Sequence, residues 1–248
     1  MLIDANSPTL FLVLLLIFFG VLLLRYFAAA GLFYYYYYVW NSGKFKERRL
    51  SRRGWRKNQL KKEIIWSLKT SVIFAVVGAI TYWLWQNGYT AIYINASEYG
   101  FWYLPLSLIL VLFLHETYYY WVHRWMHRPK VFRKVHKVHH DSLAPTPWTA
   151  FSFHPWEGLL EALILPAILL VIPVHYLVLL FYLLLMTLSS VINHLDIEVY
   201  PETFQKSWVG KLFIGATHHH YHHSEFNTNY GLYFTFWDKW MGTESKKM

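Results

Sequence analysis

The stretch LHETYYYWVHRWMHRPKVFRKVHKVHH, Leu114 to His140, closes an apolar run that begins near Phe101 and passes into a segment dense in histidine, arginine and lysine. The run from about Phe101 to Trp121 is long enough, as a helix, to cross a hydrocarbon core of about 30 Å. Beyond it stand Arg124, Arg128, Lys130, Arg133, Lys134 and Lys137, which the positive-inside rule places on the cytoplasmic side. Within this basic segment His123 and His127 lie at i and i+4, so a helix turns both imidazoles onto one face about 40° apart. His136, His139 and His140 lie at i, i+3 and i+4 and offer three more nitrogens from a second helical face. The stretch reads as a membrane span that runs into a metal-binding cap.

On the amino-terminal side, an apolar run from Leu10 to Leu24 continues through Arg25 and Ala28 into the tyrosine row Tyr34 to Tyr38. No positive residue precedes it, only Asp4, so it reads as an anchor and not as a cleaved signal peptide. A basic block, Lys44, Lys46, Arg48, Arg49, Arg52, Arg53, Arg56, Lys57, Lys61 and Lys62, then suits a cytoplasmic loop lying on anionic headgroups. A second span is expected from about Ile64 to Trp85. The segment from Gln86 to Gly100 has no lysine or arginine and should face away from the cytoplasm. Towards the carboxyl end, Leu159 to Ile192 is apolar, broken by Pro166 and Pro173, and long enough for a helical hairpin whose ends share one side. The histidine-rich tail from Asn193 to Met248 then shares the cytoplasmic face with the earlier clusters. The expected fold is all-α: an integral membrane helical bundle of about four spanning helices or hairpin arms under a cytosolic, histidine-rich helical cap.

Composition agrees with this class. Hydrophobic residues make up 56% of the 248 residues and charged residues only 15%, too apolar for a soluble protein of this size. Aromatic residues reach 21%, as expected where indole and phenol rings collect at the lipid–water boundary. The net charge of +9 is concentrated beside apolar segments, so it points to headgroups and not to nucleic acid. Cysteine is absent, which excludes disulfides, iron–sulfur clusters and thiolate-bound haem, and leaves the 14 histidines as the obvious metal ligands.

The spacing of His136, His139 and His140 returns as His219, His222 and His223, with His218 and His220 beside it. At this histidine frequency a given HxxHH pattern is expected about 0.04 times in a chain this long, so two copies and a nearby HxxxH are not accidental. A single histidine is ordinarily a surface or interfacial side chain. That is the reading for His175, and it stays open for His115. Neutral imidazole suits iron, zinc and copper, and eight nitrogens exceed what one ion with an open position uses, so two metals are expected. The paired carboxylate pattern of soluble di-iron proteins is missing, because no glutamate is followed three residues later by histidine. Nor do His115 and Glu116 begin a zinc protease motif, since Tyr119 stands where its second histidine would be.

From about Glu116 onward the chain resembles the fatty acid hydroxylase and sterol desaturase superfamily, whose motifs run HxxxH, HxxHH, HxxHH. The resemblance rests on Tyr120-Trp121-Val122-His123-Arg124, on His136-Lys137-Val138-His139-His140 and on Pro145-Thr146-Pro147. It extends to Phe153-His154-Pro155-Trp156-Glu157-Gly158, to Asn193-His194, and to His218–His223 with Phe226, Asn227, Asn229, Tyr230, Gly231, Trp237 and Asp238. The last of these segments looks most like the sterol C-5 desaturase branch. Glu116 departs from the pattern, standing where many members carry aspartate. The resemblance implies a di-iron centre, with zinc as an alternative occupant, held by His123, His127, His136, His139, His140, His219, His222 and His223. His194 would be a further ligand, and His154 and His218 are weaker candidates. It implies one domain over 1–248, with anchoring spans and the basic loop in 1–100 and the catalytic region in 101–248.

The expected activity is O2-dependent hydroxylation or desaturation of a membrane lipid, sterol-like or fatty acyl. Glu116, Asp141, Glu157 and Asp238 are candidate acceptors for imidazole N–H groups. The chain has no Gly-x-Gly-x-x-Gly fingerprint and no haem attachment motif, so electrons must come from an external reductase or a small carrier such as a cytochrome or ferredoxin. Either the endoplasmic reticulum or a bacterial plasma membrane would suit it. A histidine-rich metal transporter is the competing class, but it would place ligands inside the spans near the midplane. A family member that binds lipid without turnover is the other alternative.

Overall fold

The computed structural model describes residues 7–248; Asp4 lies outside them. Helix α1, Pro8–Tyr34, opens with Pro8 in its first turn, where a missing N–H costs nothing, and continues as one wide π turn over Tyr35–Trp40. Its Leu12, Val13, Leu16, Ile17, Val21 and Leu24 point outward. So continuous an apolar face is suited to hydrocarbon and not to water. Helix α2, Gln59–Gln86, packs along α1. After strand β1, Ile92–Tyr93, come α3, Tyr103–Met126, and two short helices, α4, Pro129–Val135, and α5, Lys137–His140. Helix α6, Pro155–Leu169, strand β2, Val174–His175, and helix α7, Tyr176–Asn193, form the hairpin. The tail contributes α8, Ala216–Glu225, and α9, Phe236–Trp240.

The fold is mostly helical, and among the described residues three helices are long and apolar enough to cross a membrane: Pro8–Trp40, Gln59–Gln86 and Tyr176–Asn193. Helix α3 falls short of that apolarity because its second half carries His115, Glu116, three tyrosines, His123 and Arg124. With 15 residues, α6 reaches only about 22 Å, less than a bilayer core.

Two details depart from the sequence reading. Pro166 does not break the hairpin; it lies inside α6, one turn before its end, and Leu170 N–H still donates to its carbonyl at 3.0 Å. A proline removes one helical hydrogen bond, and so near the end of a helix that loss is small. The break falls at Pro173. Here β2 pairs in parallel with β1, Ile92 opposite Val174 and Tyr93 opposite His175, a small exception to an all-helical chain. His175 caps α7 by accepting from Leu177 N–H, while its Nε2 donates to Ile94 O at 2.7 Å.

Between lipid-exposed helices, apolar burial drives little, so packing and hydrogen bonds between neighbours decide the arrangement. Tyr26 Oη donates to Trp148 O at 2.9 Å, Thr70 to Phe153 O at 3.2 Å and Ser190 to Ala150 O at 2.9 Å. Bonds of this kind are worth about 0.6 kcal/mol each. All three tie spanning helices to the segment from Pro147 to Phe153, which lies between the second histidine cluster and α6. Around it packs one core of Tyr26, Ala30, Ala150, Phe151, Phe153 and Val191; a second, of Val111, Ile164, Ile168, Leu169, Val174 and Tyr182, fills the other end. An apolar cavity of about 380 Å³ is lined by residues of both.

Candidate metal centre

Nine imidazoles converge, and they do so in two groups. His123, His127, His136, His140 and His222 bring one ring nitrogen each within 4.8 Å of one another; His139, His194, His219 and His223 do the same. Each HxxHH motif is divided between them. On a helix, residues i and i+4 diverge by about 40°, whereas i+3 and i+4 diverge by about 100°. Thus His136 and His140 join the first group while His139 faces the second, and His219 and His223 join the second while His222 faces the first. The groups adjoin, with the rings of His140 and His223 only 4.6 Å apart.

The rings are aimed from behind. His123 Nδ1 lies 2.8 Å from Tyr230 O, His222 Nδ1 2.8 Å from Thr228 O and His194 Nδ1 2.7 Å from Ser190 O. A carbonyl only accepts, so each Nδ1 carries the proton and each Nε2 presents a lone pair inward. His136 Nδ1 is held in the same way by Glu157 Oε1 at 2.7 Å. The inward nitrogens are closely spaced: His123 to His136 3.0 Å, His140 to His136 3.1 Å and His140 to His222 3.0 Å. In the second group, His194 lies 3.1 Å from His139 and 2.9 Å from His219, and His219 lies 3.1 Å from His223. Facing lone pairs repel. Nitrogens bound at right angles to one ion about 2.1 Å away stand about 3.0 Å apart, so the spacing fits metal ligation.

Burial, reinforced by neighbouring imidazoles, holds His136, His139, His140, His219, His222 and His223 well below the ordinary histidine pKa. All six are therefore neutral near pH 7, the form that binds metal.

The four carboxylates expected behind the imidazoles have different roles. Only Glu157 touches a clustered ring. Glu116 instead accepts from the backbone N–H of Leu232 at 3.1 Å and Tyr233 at 2.7 Å. Asp238 accepts from Tyr230 N–H and Gly231 N–H, both at 2.9 Å, and from Thr243 at 2.7 Å. Both fix the loop whose Tyr230 carbonyl orients His123. That loop is tight at Gly231, where a Cβ would come within 2.6 Å of Phe234 O and 2.8 Å of Glu116 Oε1. Asp141 is exposed and pairs with Lys137 at 2.8 Å and Arg56 at 3.8 Å. Because backbone N–H groups compete for Glu116 and Asp238, an imidazole contact could not have been read from residue type.

His154 and His218 belong to neither group. His154 caps α6, accepting from Trp156 N–H. His218 lies on α8 and is buried, with Nε2 3.8 Å from Asp238. Two kinds of participant went unread in the sequence. Carbonyl acceptors leave no mark on residue type. Glu63, in the first turns of α2, accepts from Thr146 at 2.6 Å, Ser142 at 2.7 Å, Gln59 at 2.8 Å and Thr149 at 2.9 Å, and so pins the segment that follows the second cluster. A lone glutamate beside a basic block carries no spacing signal.

The cavity reaches His194 of the second group and runs past Phe153, Phe151 and Phe74 to Trp85 and Ile92 at its far end. An apolar, elongated guest could therefore lie with one part against the imidazoles.

Residues 108–243 match the sequence model of the family described as Fatty acid hydroxylase. Among curated proteins, the chain is 32% identical over 186 residues to "Lathosterol oxidase" of Homo sapiens, covering 74% of this chain and 60% of that protein. It is 30% identical over 193 residues to "Delta(7)-sterol 5(6)-desaturase ERG3B" of Gibberella zeae, covering 77% and 58%. To "Delta(7)-sterol 5(6)-desaturase erg3C" of Aspergillus fumigatus it is 31% identical over 202 residues, covering 75% and 63%. The chain thus spans about three fifths of the length of these relatives. No solved structure matches it significantly.

Proposed function

Since the chain belongs to the fatty acid hydroxylase family, we propose that it is a di-iron oxidoreductase that uses O2 to desaturate or hydroxylate a membrane lipid, with a sterol favoured by the relatives' names. The observation that carries this reading is the convergence of nine imidazoles into two adjoining groups, one of which borders an apolar cavity. His123, His127, His136, His140 and His222 would hold one ion; His139, His194, His219 and His223 would hold the other. Iron bound there supplies the redox chemistry that activates dioxygen toward an unactivated C–H bond.

The protein's own residues do the rest. Glu157 and the carbonyls of Tyr230, Thr228 and Ser190 hold four imidazoles with Nδ1 protonated and Nε2 free to bind. Glu116 and Asp238 keep the loop carrying Tyr230 in register. Phe151, Phe153 and Leu232 exclude water from the cavity next to His194 and steer the apolar guest against it. Electrons reach the centre from a separate reductase or small carrier. The bundle sits with about four helical arms in the membrane, that of the endoplasmic reticulum or a bacterial plasma membrane, and with its histidine cap in the cytosol. Residues 1–248 act as one domain.

The test is metal content together with oxygen uptake in the presence of lipid and reductant. About two irons per chain and lipid-dependent uptake are expected, and His222→Ala should abolish the uptake. A protein that binds no metal, or a variant with unchanged turnover, would sink the reading.

A further inference from the structure

A file of aromatic rings runs without a gap from the first histidine group to the surface. Tyr230, in the loop between α8 and α9, stands against three of that group's imidazoles, with ring centroids 5.3 Å from His127, 5.7 Å from His123 and 5.8 Å from His222. Tyr120, on α3, follows at 6.1 Å, and Trp237, on α9, stacks on Tyr120 at 5.7 Å. Trp240 is 5.4 Å beyond Trp237 and is 63% exposed, so the file ends in the open. A further phenol, Tyr119, meets His123 at 5.0 Å, but its next neighbour is the buried His115 at 6.3 Å and not an indole. Beside the second group the neighbouring aromatic ring is instead Phe153, 5.2 Å from His139 and in the cavity wall.

Tryptophan and tyrosine collect at the lipid boundary of any membrane protein, and that accounts for an exposed indole such as Trp240. It does not account for Tyr120, which is buried and whose hydroxyl is placed to give up its proton. Thr243 Oγ1 donates to Asp238 Oδ1 at 2.7 Å, and a hydroxyl has only one proton. In the 2.9 Å contact between Tyr120 Oη and Thr243 Oγ1 the phenol is therefore the donor. Phenols and indoles are the most readily oxidised side chains of a chain without cysteine, and a phenol yields an electron most easily when its proton can leave with it. The phenyl ring of Phe153 has no such reactivity. Oxidisable rings thus meet the first group, and an inert one separates the second group from the cavity.

We propose that Tyr230, Tyr120, Trp237 and Trp240 form a path that discharges an oxidising equivalent left at the centre when no lipid occupies the cavity. This goes beyond the proposed function and rests on it, because such an equivalent arises only if O2 is used there. One electron leaves Tyr120 for the first histidine group across the ring of Tyr230. The phenol proton passes to Thr243 Oγ1 as the Thr243 proton passes to Asp238 Oδ1. Trp237 then returns an electron to Tyr120, and both protons run back. Trp240 reduces Trp237, and the one-electron carrier that serves the centre reduces Trp240. In each event the carrier loses one electron, the centre gains one, and every side chain ends as it began. Substrate and discharge use different groups: the cavity reaches His194 of the second, and the aromatic file meets the first.

Charge movement can be tested apart from oxygen chemistry. Met241→Cys gives this cysteine-free chain a single labelling site beside Trp240, and a ruthenium photo-oxidant is attached there to the full chain loaded with redox-inert zinc. Flash oxidation of the label should produce a tyrosyl radical, followed by transient absorption and electron paramagnetic resonance. Tyr120→Phe and Trp237→Phe should each lose that radical while retaining zinc, which also shows that they fold. No tyrosyl radical in the labelled parent, or an undiminished one in both variants, would overturn the proposal. A second arm exposes the iron-loaded protein to O2 and reductant without lipid. Peptide mass spectrometry should then find more oxidised residues around His123, His127 and His222 in Tyr120→Phe than in the parent. Equal damage at matched oxygen uptake would overturn the discharge role. A protein that forms the radical by flash yet takes up no oxygen would defeat the oxidase reading and leave the conducting path standing.

Discussion

His139 and His140 are neighbours in sequence and serve different groups, and the reason is the turn of a helix. At this scale the sequence was most legible. All nine imidazoles that converge were identifiable from spacing or resemblance, because i and i+4 share a face whatever the tertiary context. What could not be read was the partner behind each ring, since three of those acceptors are main-chain carbonyls. The exception is Glu157, and it supports a prediction. Glu157→Gln should reduce metal affinity by about 10–100-fold by weakening the hold on His136, measured as metal retained against graded chelator. Asp141→Asn, at an exposed carboxylate paired only with Lys137 and Arg56, should change stability by less than about 0.5 kcal/mol and leave metal retention as it was. If the two variants lost metal alike, Glu157 would have no special role.

At the scale of elements, hydropathy located the helices well and their work less well. The two amino-terminal helices read as anchors, yet α2 carries Glu63, and α1 and α2 both wall the cavity. Glu63 is one acceptor for four donors on three segments. Glu63→Ala would leave Ser142, Thr146 and Thr149 buried without it, at a cost on the order of 3 kcal/mol or more. The expected outcome is a clear drop in thermal midpoint together with reduced metal retention, because His139 and His140 lie just before the released segment. A variant with an unchanged midpoint would show that water replaces the carboxylate there. Hairpin geometry was legible only in part. Proline content suggested two breaks, but a proline one turn from a helix end is tolerated, and the pairing of β1 with β2 joins residues too distant in sequence for any local signal.

For the whole molecule, the cap is a concentration of buried neutral bases, and that sets its response to acid. Six histidines have folded-state pKa values depressed below the free value of about 6.5. The unfolded chain therefore binds more protons than the folded one as pH falls through about 6.5, and stability declines from there downward. Asp238, raised to about 6 chiefly by burial, and Glu157, raised well above the usual carboxylate range by burial, act in the opposite sense and offset part of this loss. Metal-stripped protein should lose thermal stability progressively between about pH 7 and pH 5, followed by unfolding at a series of pH values. A flat profile would mean that the imidazoles are not packed as described.

The division of the motifs between the groups also sets an order of assembly. A nascent chain that ends before Ala216 already has four of the five imidazoles of the first group, His123, His127, His136 and His140, but only His139 and His194 of the second. On the proposed function, the first ion could be bound while synthesis continues, whereas the second would wait for helix α8, so the two centres would be loaded in order.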